Sequence, residues 1–116
     1  MKLKITAIRD AGDIEKERVV LRAIADFNVG NYLILQTGFK GGSVTSRVQT
    51  AFWFPDKDVA DGDFVVLYTK RGKSSEKDFK EVQSHFFYWG KSETIWDEKD
   101  RSAVLMYAPD WDSFQP

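Results

Sequence analysis

Cysteine is absent from the chain, which excludes disulfides, thiolate metal sites and thiol nucleophiles together. Histidine occurs once, at His85, too few for a two-histidine metal site. It lies between Ser84 and Phe86 in an aromatic run and reads as a strand residue held for structural reasons. No stretch approaches the roughly 20 apolar residues of a membrane span. The opening residues alternate Leu3, Ile5 and Ala7 with Lys4 and Thr6, unlike the continuous apolar core of a signal peptide. A soluble, cytoplasmic protein is therefore the expectation. Neither sign of charge is in excess, with 17 Lys and Arg against 18 Asp and Glu. Phosphate neutralisation supplies most non-specific affinity for nucleic acid, so a net charge of -1 argues against such a partner, although a local basic patch stays open. Gly41-Gly42 lacks the lysine and flanking pattern of a phosphate loop, and no nucleophile elbow, internal repeat or low-complexity segment occurs.

What the chain does have is apolar material: 42% hydrophobic and 15% aromatic residues in a length of 116. That is enough to offset chain entropy in one domain with a single core. Period-two alternation runs through most of it. The first strand covers Leu3, Ile5 and Ala7. Val19, Leu21, Ala23, Ala25 and Phe27 mark a second between Glu17 and Phe27, where helix-forming Arg, Leu and Ala leave a helix as the rival reading. Asn28 to Asn31, with Gly30, signals a turn, and Tyr32 to Gln36 a short strand. Gly38, Gly41 and Gly42 predict a flexible loop before a strand from Ser43 to Phe54, which Pro55 ends. Phe64 to Thr69 and Val82 to Trp89 follow, separated by a charged stretch from Lys70 to Lys80 that predicts an exposed loop. Thr94 to Trp96 and Ala103 to Tyr107 complete about eight strands without a convincing long helix, the pattern of a sandwich or barrel. Residues 1–109 form the expected domain and 110–116 a short tail carrying Trp111 and Phe114.

In this order the pieces resemble the lamin tail domain, an immunoglobulin-like β-sandwich. Glu17, Val19 and Leu21 match its Glu-x-Val-x-Leu strand, followed by Asn28-Val29-Gly30-Asn31-Tyr32-Leu33-Ile34. Phe52-Trp53-Phe54-Pro55 and Gly62-Asp63-Phe64-Val65-Val66-Leu67-Tyr68 match its Phe-x-Phe-Pro and its glycine before an apolar strand. Trp96 to Asp100 and Ala103-Val104-Leu105 match its closing tryptophan, polar turn and Ala-x-Leu strand. The resemblance spans residues 2 to 107. Ala23 stands where the family often has asparagine, and Ala108-Pro109-Asp110 replaces its closing Asp-x-Gly hairpin. The resemblance implies an immunoglobulin-like sandwich with a binding or scaffolding role, no catalytic residues and no cofactor.

Aromatic residues are the candidate contact surface. Alternation puts Ser84, Phe86 and Tyr88 on one face of their strand and His85, Phe87 and Trp89 on the other. Both faces cannot line one two-layer core, so a loop, the tail or a partner must cover one of them. Trp53 likewise points opposite to Phe52 and Phe54. The expectation is a protein-interaction module, not an enzyme, using an edge strand or an exposed face around Trp53, Phe87 and Trp89. A protein partner or self-association fits that reading. A carbohydrate-binding module, with these rings stacked on sugars, is the alternative. Asp56, Asp58, Asp61 and Asp63 invite a calcium reading, but their spacing departs from the EF-hand loop and suits turn-making equally. Asp97, Glu98 and Asp100, interrupted by Lys99, read as a solvated turn.

Overall fold

The alternation becomes ten β-strands and one 3-10 turn, with no α-helix. The structure, a computed structural model, describes residues 1–116. Its strands are β1 (Leu3–Arg9), β2 (Arg18–Ala23), β3 (Phe27–Asn28), β4 (Tyr32–Lys40) and β5 (Ser43–Trp53). They continue with β6 (Asp58–Val59), β7 (Phe64–Tyr68), β8 (Ser75–Phe79), β9 (Val82–Tyr88) and β10 (Arg101–Tyr107). One sheet has five strands in the order β1-β2-β7-β9-β8, a second has three in the order β10-β4-β5, and β3 pairs with β6. All neighbours are antiparallel except β7 and β9, which run parallel.

The helix reading of the second segment fails because Val19, Leu21 and Ala23 are buried at strict period two. They join Leu3, Val65, Leu67 and Phe87 from the same sheet in a core that also contains Tyr32 and Ile34 of β4. Phe52, Ala103 and Leu105 pack against this core from β5 and β10. Phe54 and Trp96 fill it from connecting segments, with Phe54 meeting Phe87 edge-on at 5.2 Å.

Three expectations are corrected. Gly38 does not open a loop: β4 runs on to Lys40, and Gly41 and Gly42, at φ of 61° and 78°, make a two-residue hairpin into β5. Part of the charged stretch from Lys70 to Lys80 is a strand, β8, which lies at the sheet edge. Every residue of β8 is exposed, so no face of it needs to be apolar. Thr94 to Trp96 is not a strand, because its backbone is held by side chains instead of a ladder. The result is an all-β domain of ten strands in open sheets.

Candidate functional site

The register of the three-stranded sheet sets its outer face. Tyr32 and Ile34 point into the core, so Leu33 and Leu35 point away from it. Leu33 lies between Met106 and Trp53, and Leu35 between Val104 and Ala51. These residues make an apolar outer face that ends in exposed Val48 and Val44 on β5. Trp53 is half exposed; its indole N–H donates to the Gly30 carbonyl at 2.7 Å. The tail reaches back here, with Trp111 set edge-on to Trp53 at 4.9 Å and 88°.

The expected trio therefore does not form one surface. Phe87 is 1% exposed and belongs to the core, which removes it from any contact face. Its neighbour in β7, Leu67, is equally buried, and that shared parity turns Phe87 inward. Trp89 lies just beyond β9 and packs against Phe52 and Trp96, at ring distances of 6.0 and 6.1 Å. Only Trp53 of the three stands on the outer face of the three-stranded sheet.

Beside Trp53 runs the free edge of β5, which pairs with β4 alone. Over eleven residues it carries one charge, Arg47. Other edges are differently made. β1 has a bulge between Ile5 and Ala7 together with Lys4 and Arg9. β8 carries Glu76, Lys77 and Asp78 in succession. Charges and bulges discourage further strand pairing. β5 is the longest edge and carries a single charge, although its register against β4 shifts twice between Gln36 and Phe39. β10, the other edge of the same sheet, is shorter and its only charge is Arg101.

The buried titratable groups serve the fold. Glu17, fully buried, accepts backbone N–H bonds from Gly12, Ile95 and Trp96 at 3.0 to 3.1 Å and the Thr69 hydroxyl at 2.5 Å. Gln36 of β4 donates to the Ile95 carbonyl, so the 95–96 segment ties the two larger sheets together through Glu17. Asp63, ahead of β7, accepts from His85 Nε2 at 2.8 Å and from the backbone N–H groups of Ala60 and Gln83. Burial pushes the Asp63 carboxyl up, but the hydrogen bonds from His85, Ala60 and Gln83 and the charge of His85 together hold it below its ordinary value. His85 Nδ1 is buried without a partner. These roles could not be read from residue types alone; Glu17 had a signal only in the Glu-x-Val-x-Leu pattern.

The aspartates after Pro55 do not converge on a cation site, since no three carboxylate or imidazole groups come together anywhere in the chain. Asp56 accepts from the Asn28 side-chain amide, and a Cβ at Gly30 would collide with it, which explains glycine there. A groove of about 530 Å³ does lie between Asp26, Asp58 and Gln83. Comparison with known proteins leaves the site to its geometry: no family model matches the chain, and no curated protein matches it in sequence.

Proposed function

We propose that this chain is a non-catalytic protein-interaction module, an immunoglobulin-like sandwich of lamin-tail type, that binds an extended strand of a partner protein along β5. The observation that carries the reading is the free edge of β5, eleven residues with a single charge, continuous with the apolar face of Trp53, Leu33 and Met106. An added strand would satisfy the outward backbone groups of β5 and seat alternate side chains on that face. Engagement of Glu17 and Asp63 with backbone donors supports a structural use of the buried carboxylates. The sugar-stacking alternative has less support, because Trp111 stands edge-on against Trp53 and the two rings share no flat platform.

The test is capture of lysate proteins by the tagged chain with cross-linking, using wild type and Val44→Lys/Val48→Lys. Both valines are exposed on β5, so the variant should keep its melting temperature. Cross-links confined to β5 and its outer face, lost in the variant, are the expected result. A stoichiometric partner that cross-links elsewhere and still binds the variant overturns the proposal.

A further inference from the structure

The outer face of the five-stranded sheet has a different composition. Inward Val19, Leu21, Val65, Leu67 and Phe87 fix the parity, which leaves Arg18 and Arg22 outward on β2, and Phe64 and Tyr68 outward on β7. The register sets Lys4 beside Arg22, Arg22 beside Phe64, Phe64 beside Ser84, and Ser84 beside Lys77. One row thus crosses all five strands from Lys4 to Lys77, a span of roughly 19 Å at the usual strand spacing. A parallel row sets Arg9 beside Arg18, Tyr68 and Tyr88. No Asp or Glu occupies an outward position in either row.

Cations and rings are interleaved here. The Arg22 guanidinium lies 5.5 Å from the centre of Phe64, and Arg18 and Lys70 lie 6.0 and 5.3 Å from that of Tyr68. Arg18 and Lys70 are ion-paired, with Asp10 and Glu15, whereas Lys4, Arg9, Arg22 and Lys77 have no carboxylate partner. Where the first row meets the β8–β9 turn, a cavity of about 500 Å³ opens between Phe64 and Phe79. Ser84 and Val82 form part of its lining, and Lys77 and Lys80 contribute their ammonium-bearing chains. Phe79, at 70% exposure, is among the most exposed large apolar side chains of the molecule. An apolar slot with aromatic walls and cations at its margin suits a flat ring joined to an anion.

We infer that this face binds single-stranded nucleic acid, with one base in the slot between Phe64 and Phe79 and the phosphates along Arg22, Lys77 and Lys4. Stacking on a ring tolerates any base, and the cations neutralise the backbone; a duplex hides its base faces and offers only charge. The net charge of -1 conceals this surface because the acidic residues lie off these rows.

Fluorescence anisotropy with a labelled oligothymidylate of about fifteen nucleotides tests it. Saturable binding should weaken with salt at a log–log slope of about -2, three phosphates at about 0.7 each. Arg22→Glu/Lys77→Glu should lower affinity at least tenfold. Phe64→Leu should lower it about tenfold by removing a stacking surface. Phe79→Ser tests the same slot from an exposed position if Phe64→Leu fails to fold. Lys40→Glu, on the hairpin of the other sheet, should leave affinity within twofold of wild type. Absence of binding at low salt overturns the inference. So does equal competition by a duplex of the same length or by heparin, with Phe64→Leu and Phe79→Ser both neutral, which would leave a general polyanion surface.

Discussion

The outer faces of the two larger sheets obey the same alternation and end with opposite chemistry. On the three-stranded sheet the outward residues include Leu33, Leu35, Val44, Val48, Ala51, Trp53, Val104 and Met106, none of them charged. On the five-stranded sheet they include Lys4, Arg9, Arg18, Arg22 and Lys77 around Phe64, Tyr68 and Tyr88. Partner desolvation would dominate at the first face and counterion release at the second. A single net charge for the chain averages these surfaces away; only the parity of each strand separates them.

The comparison depends on the two sheets being held together, so the largest effect should come from Glu17. Glu17→Ala strands three backbone donors and a hydroxyl, at about 1–3 kcal/mol each, and should cost at least about 4 kcal/mol in urea denaturation. A loss below about 1 kcal/mol would show that the clamp does not couple the sheets. Asp63→Ala comes next, at about 3 kcal/mol, because it strands the buried His85 ring and the Gln83 N–H of β9 together with the Ala60 N–H ahead of β7.

Asp63 also gives a pH signature. Its carboxyl titrates lower in the folded chain than its ordinary 3.8, so the unfolded chain binds the proton more readily. Its stabilisation is complete above that ordinary value and fades as pH falls through the lower, folded one. Melting temperatures measured down to about pH 2 should fall along an acid limb that Asp63→Asn flattens.

Smaller effects divide the two faces. Arg22→Glu/Lys77→Glu should cost about 1.4 kcal/mol in oligonucleotide binding and leave capture at β5 unchanged. Val44→Lys/Val48→Lys should do the reverse. Loss of both activities in either variant would merge the two surfaces into one. Smallest of all, Trp53→Ala should cost about 1 kcal/mol of stability, as it gives up the Trp111 contact and the bond to Gly30. Thermal melting measures it, and a much larger loss would place Trp53 in the core instead of on a face.

Much of the fold was legible because half-buried strands announce themselves. β1, β2, β7, β9 and β10 each alternate or run apolar in the sequence, and each is present. β8 was invisible for the converse reason: a strand exposed on both sides has the composition of a loop. Phe87 was misplaced because both faces of β9 are aromatic, and its inward parity is set by β7 beside it. Glu17 looks like any surface carboxylate until Gly12, Thr69, Ile95 and Trp96 are seen to surround it. The basic rows had a signal within reach, in Arg18 and Arg22 four residues apart on a strand whose other face is apolar, but joining them to Lys4, Arg9 and Lys77 needed the register.

The parallel pairing of β7 and β9 has a consequence for how the chain acquires its shape. Between them the chain travels outward to β8 and turns back, so β9 lies inside a hairpin that was laid down at the margin. The β8–β9 hairpin is a local structure, closed by a turn at Lys80 and Glu81, and can form before it finds its neighbour. In the folded chain its junction with β7 is held by Asp63, which accepts the Gln83 N–H and the His85 ring. Hydrogen exchange should therefore report β8 and β9 as one unit whose opening leaves β1, β2 and β7 closed.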